Sequence, residues 1–171
     1  SLPAGYPSGT FDSPTDAGGD RSTWAVFDID GNGGADLVFA QTEGAEDVGR
    51  SRWLAYLNSG NGFGPAGTDW ELPSGFADGA FTSFGEDSGG LAWGLIDMNA
   101  DGAADLVVAR SDTAPDVGTE LWRVYFNSGG RFGPAATEWA LPGGFAAATF
   151  DGLADGALGD VTWALLDIDG S

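Results

Sequence analysis

The sequence predicts an all-β chain built from repeating units of about 70 residues. Three observations carry that expectation. Landmarks recur at separations of 69 or 70: Trp24 with Trp93 and Trp163, Trp53 with Trp122, Trp70 with Trp139, and Leu2-Pro3 with Leu72-Pro73 and Leu141-Pro142. Short apolar runs bracket acidic, glycine-rich turns, which is the pattern of a hairpin. The 30 glycines and the lack of any sustained helical period argue against long helices. The chain of 171 residues, about one domain in size, therefore divides into repeats 2–71 and 72–140 and a partial third, 141–171.

Within a repeat the elements follow in order. Trp24 to Phe27 is a first strand, and Leu37 to Ala40 leaves the acidic turn as a second. Arg52 to Leu57 is a third strand, ended by Asn58-Ser59-Gly60-Asn61-Gly62, and a short fourth is expected around Thr68 to Leu72. The second repeat follows the same plan, with Tyr125-Phe126-Asn127-Ser128-Gly129 and Phe132-Gly133-Pro134-Ala135 repeating Tyr56 to Gly60 and Phe63 to Ala66. Between the second and third strands lie polar segments, 41–51 and 110–120, each containing Asp-Val-Gly; they read as exposed excursions. Three or four strands per repeat match one blade of a β-propeller with a long loop. Such a blade buries its faces only by stacking on neighbours, and the repeated Trp residues would supply the bulk between them. Two repeats and a fraction leave open sheet faces, so the ring is expected to close by oligomerisation. Two copies supply about five repeats and three about seven, within the roughly four to eight blades of propellers.

Composition narrows the function classes. The formal net charge is −20, from 26 acidic and 6 basic residues, which disfavours nucleic acid and anionic membrane surfaces as partners. The chain has no Cys and no His, which removes thiol and imidazole nucleophiles and zinc sites built from them. No run reaches the roughly 18 apolar residues of a membrane span. No secretory leader is visible, and the chain lacks a starting Met, which fits removal of one by processing or by the way the chain was cut.

The acidic turns carry the chemistry. In Asp28-Ile29-Asp30-Gly31-Asn32-Gly33-Gly34-Ala35-Asp36, oxygen-bearing side chains stand at the first, third, fifth and ninth positions. Asp97-Met98-Asn99-Ala100-Asp101-Gly102-Ala103-Ala104-Asp105 repeats the pattern, and Asp167-Ile168-Asp169-Gly170-Ser171 begins it again. An acidic Gly-rich hairpin turn is the plain alternative. Three carboxylates in nine residues, twice in register, repel one another without a cation, which favours metal. Oxygen-only ligands select Ca²⁺ or Mg²⁺, and a loop with backbone carbonyls and many ligands favours Ca²⁺. An EF-hand does not fit, because position twelve is Phe39 or Val108 inside a strand rather than a Glu. Trp24, Trp93 and Trp163 read as packing between blades, whereas Trp53, Trp70, Trp122 and Trp139 could also offer a stacking platform for a glycan.

The apolar run, Asp-x-Asp-Gly-Asn-Gly-x-x-Asp-Leu-Val, the following strand and Tyr-Leu-Asn-Ser-Gly-x-Gly-Phe resemble the FG-GAP or VCBS-type propeller repeat, over nearly the whole chain. The resemblance implies a β-propeller holding one Ca²⁺ per hairpin loop. The first site would use Asp28, Asp30, Asn32, the carbonyl of Gly34, and Asp36. The second would use Asp97, Asn99, Asp101, the carbonyl of Ala103, and Asp105. Asp167 and Asp169 would belong to an incomplete third. It also implies a secreted or cell-surface protein, with a bacterial source expected. The expected function is a non-enzymatic, calcium-stabilised binding module of lectin-like kind, with a glycan or protein ligand. The alternatives are an interaction scaffold excised from a larger surface or toxin-like protein and, more weakly, an enzyme acting on polysaccharides through paired carboxylates.

Overall fold

The computed structural model describes residues 2–13, 22–84, 90–146 and 149–153. The described structure is all-β. Its eight strands are β1 (Trp24–Phe27), β2 (Asp36–Phe39), β3 (Arg52–Tyr56), β4 (Thr68–Glu71), β5 (Leu91–Ile96), β6 (Asp105–Ser111), β7 (Leu121–Tyr125) and β8 (Thr137–Ala140). They form two four-stranded antiparallel sheets, each a simple meander, in the orders β1-β2-β3-β4 and β5-β6-β7-β8. Register repeats with the sequence: Val26 faces Leu37 as Leu95 faces Leu106, and Trp53 faces Trp70 as Trp122 faces Trp139. No described helix is long and apolar enough to cross a membrane.

The two sheets stack face to face, and the alternation of side chains along each strand decides what lies between them. Val38, Trp53, Ala55 and Trp70 of the first sheet meet Leu91, Trp93, Leu106, Val108 and Tyr125 of the second in one buried cluster. The opposite parity of the first sheet, Leu37, Phe39 and Tyr56, is covered by Tyr6 and Phe11. The opposite parity of the second, Val107, Trp122 and Val124, is covered by Leu141, Phe150 and Leu153. Equivalent residues of the two sheets thus point the same way along the stack, head to tail.

Segment 72–84 is wedged between the sheets and tied to both. Trp53 Nε1 donates to the Phe81 carbonyl at 2.9 Å, and Trp93 Nε1 donates to the Ala80 carbonyl at 3.1 Å. In the second repeat the equivalent bond recurs, with Trp122 Nε1 donating to the Phe150 carbonyl at 2.8 Å. Backbone bonds also cross between the repeats: Glu71 N donates to the Gly130 carbonyl, and Phe132 N to that of Glu71.

Val26 is 49% exposed, because it lies on the outer face of the first sheet; its equivalent Leu95 packs against the cluster between the sheets. The Asp-Val-Gly segments are largely exposed, as expected, but they are anchored at one point each. Val48 and Val117 are buried, and Gly49 and Gly118 turn at positive φ so that their amides donate to the carbonyls of Arg52 and Leu121. In the first repeat the Arg52 guanidinium adds ion pairs to Asp47 and Asp69. Trp163, Asp167 and Asp169 lie outside the described residues.

Candidate metal centre

Each complete acidic loop joins the first two strands of its sheet, so its ends are fixed by the ladder. In the first loop, Asp28 Oδ1 accepts from Gly31 N at 2.8 Å and Oδ2 from Gly33 N at 2.7 Å. Asp30 accepts from the backbone and side chain of Asn32, and Asn32 Oδ1 accepts from Gly34 N at 2.6 Å. Gly31 and Gly33 turn at φ 76° and 83°, where a side chain would be strained. The windings bring one carboxylate oxygen each of Asp28, Asp30 and Asp36 within 4.8 Å of one another. Among the described residues this is the one group of three such side chains brought so close.

Asp36 is the inner wall of the site. It is fully buried, yet both its oxygens are held: Oδ2 accepts from Ile29 N at 3.1 Å and Oδ1 from Asn58 N at 2.7 Å. Burial pushes its carboxyl above the usual aspartate range, and the charge of Asp30 pushes it further; the backbone amides of Asn58, Ile29 and Asp30 pull against both. A cation at the tip would remove that conflict, since direct coordination offsets the cost of a buried carboxylate.

The second loop repeats the skeleton with a different middle. Asp97 accepts from the amides of Asp101 and Gly102, Asn99 Oδ1 from Asp101 N, and Asp101 Oδ1 from Ala103 N at 2.9 Å. Asp105 is again fully buried and accepts from Met98 N and Asn127 N. Burial raises its pKa, with Asp97 and Asp101 adding in the same direction and the two amides opposing. Ala100 stands where the first loop has Gly31 and adopts φ 61°, the one positive-φ residue among those described that is not glycine. The two loops also touch: a Cβ on Gly31 would lie 3.1 Å from Ala103 N.

Two residues of the site were read from sequence only as turn formers. Asn58 donates its amide to Asp36 and its side chain to the Ala35 carbonyl; Asn127 does the same for Asp105 and the Ala104 carbonyl. Their signal was the recurrence of Asn-Ser-Gly at a fixed distance after the last Asp of each loop. The glycan platform loses most of its members, because Trp53, Trp70 and Trp122 are buried; Trp139, 41% exposed, remains at the surface. The donor set is all oxygen, from carboxylates and an amide, and fits a hard cation. Compared with known protein families, with curated proteins and with solved structures, the chain matches none.

Proposed function

We propose that this chain is a non-enzymatic, calcium-stabilised binding module whose sheets are β-propeller blades of the FG-GAP or VCBS type. The observation that carries the reading is the convergence of Asp28, Asp30 and the buried Asp36 at a hairpin tip. Asp28, Asp30, Asn32 and Asp36 would hold one Ca²⁺, with the Gly34 carbonyl, and Asp97, Asn99, Asp101 and Asp105 a second, with that of Ala103. The ion's part is structural. It neutralises carboxylates that the fold forces together and so pins two strands at their turn. Head-to-tail stacking supports the blade reading, since each sheet presents to the next the face its neighbour presents to it.

The stack is open at both ends, with Val26 exposed on one outer face and Trp139 on the other. Their equivalents Leu95 and Trp70 pack in the interface between the sheets. The two outer faces, each covered only in part by the chain's own segments, are therefore the two halves of one kind of interface, which favours closure by further blades or by copies of this chain. A lectin-like or protein-binding role in a secreted setting accompanies this reading. Thermal melting of protein stripped with EGTA, then reloaded with Ca²⁺ or Mg²⁺, tests it. The expected result is a lowered Tm restored by Ca²⁺ and poorly by Mg²⁺. An unchanged melting curve from protein shown by metal analysis to be stripped would reduce the loops to acidic turns.

A further inference from the structure

The two repeats differ at one place where their folds agree. In the first, Tyr6 stacks on Phe39, and its hydroxyl is 2.8 Å from that of Tyr56. In the second, Phe76 stands in the place of Tyr6, edge-on to Tyr125 with ring centroids 5.8 Å apart. Phe76 has no hydroxyl to give, and no described side chain hydrogen-bonds the hydroxyl of Tyr125, although that residue is only 7% exposed. Two positions earlier on the same strand face, Arg123 replaces Leu54. Its cross-strand neighbour is Glu138, yet no carboxylate of a described residue comes within ion-pair distance of it. Both groups line an open groove of about 650 Å³ between segment 74–82 and strands β5 to β7. That volume falls in the range of small-molecule sites, roughly 300–1,000 Å³.

We propose that this groove binds a small hydroxylated carboxylate of sugar-acid size, its carboxylate held between the Arg123 guanidinium and the Tyr125 hydroxyl. Among the described residues neither group has a side-chain acceptor, and a carboxylate accepts from both. Asp78 and Asp112 on the rim are acceptors for ligand hydroxyls, and Phe76 supplies an apolar surface for a ring. The charge of −20 does not forbid an anion there, because charges beyond the Debye length of about 8 Å are largely screened at physiological salt. In the first repeat the equivalent place is filled from within: the Tyr6 hydroxyl stands where the ligand carboxylate would meet the tyrosine, and Leu54 removes the cation. The proposal gives the binding module a ligand class and rests on that reading.

The test is calorimetric titration of the calcium-saturated full chain with glucuronate, galacturonate and glucose. A sugar acid should bind at least about tenfold more tightly than glucose, a difference of about 1.4 kcal/mol. Arg123→Leu and Phe76→Tyr each restore the first repeat's residue, and each should weaken binding by about tenfold or more. Phe76→Tyr should leave Tm unchanged or raised, since it adds a bond the fold already makes elsewhere. Absence of saturable heat from either sugar acid, equal binding of glucose, or binding that survives both substitutions would overturn the proposal. The calcium response of Tm is read on the same samples. Sugar-acid binding without a calcium response sinks the metal reading alone, and a calcium response without binding sinks the groove alone.

Discussion

The side-chain amide of Asn127 donates to the carbonyl of Ile29 at 2.7 Å, joining residues 98 apart and linking the second sheet to the acidic loop of the first. The same nitrogen donates to the Ala104 carbonyl in its own loop. Asn58, its equivalent, makes only the bond within its repeat among the described residues. Asn127→Ala would leave two carbonyls without a donor where Asn58→Ala leaves one. An unsatisfied buried polar group costs about 1–3 kcal/mol. Asn127→Ala is therefore expected to be the more destabilising of the two by about that amount in urea denaturation; equal losses would show that the bond between repeats contributes nothing.

The two loops should respond unequally to calcium. Three carboxylates meet in the first, while Asp101 stands in the second where the first has Asn32, and Asn99 where it has Asp30. A site at 100 times its dissociation constant stabilises the fold by about 2.7 kcal/mol. Asp36→Ala should remove most of the Ca²⁺-dependent rise in Tm, Asp105→Ala a smaller part, and the double change nearly all of it. A larger loss from Asp105→Ala would reverse the ranking.

Stripped of metal, the protein should gain stability from these two groups as pH falls. Asp36 and Asp105 have folded-state pKa values raised above the ordinary aspartate value, chiefly by burial. A raised carboxyl contributes stability that is fully present below the unfolded value, about 3.9, and is lost as pH rises through the folded value. In EGTA the slope of Tm against pH over that interval should be negative for their contribution and shallower in Asp36→Asn. Saturating Ca²⁺ should flatten it, because the ion competes with the proton for the same oxygens. A slope unaltered by Asp36→Asn would remove this carboxyl from the account.

Backbone strain separates the loops in a second way. Ala100 holds φ 61° where Gly31 holds φ 76°. The left-handed conformation costs a side-chain-bearing residue about 1–2 kcal/mol, against about 0.5–1 kcal/mol of entropy lost with glycine. Ala100→Gly should thus stabilise by roughly 0.5–1 kcal/mol. Gly31→Ala should destabilise by more than that gain, since its Cβ also crowds Ala103 N. Chemical denaturation of the pair checks both signs.

What the sequence shows and what it hides divide along the same physical line. The strands and the acidic loops were legible because apolar alternation, glycine and clustered Asp are local signals. Val26 and Leu95 occupy the same position of the repeat, each two residues after a Trp and two before an Asp, yet one is exposed and the other packed. That difference depends on which sheet follows in the stack, which no local pattern records. Asn58 and Asn127 look like ordinary turn residues until their partners are seen. The replacement of Tyr6 and Leu54 by Phe76 and Arg123 was written in the sequence. Its meaning needed the fold, which places a hydroxyl, a guanidinium and a groove together.

Trp139 is 41% exposed at the position where Trp70 is 2% exposed, and the difference is the sheet stacked over Trp70. A large aromatic side chain left on a flat sheet face is an association site in waiting. The complementary face carries Val26, and an interface that is not self-complementary propagates head to tail until it closes or extends. Leu141, Phe150 and Leu153 already cover part of the outer face of the second sheet, so a partner would have to settle around them or displace them. Sedimentation at micromolar concentrations should therefore show association that grows with concentration and stops at a closed ring. Trp139→Ser should weaken it strongly while changing the stability of the isolated chain by no more than about 0.5 kcal/mol, as expected of an exposed position. Trp70→Ser should unfold the chain instead, because the same side chain is part of the core there. A protein that stays monomeric throughout, or a Trp139→Ser variant that associates unchanged, would mean that the face around Trp139 is not where copies meet.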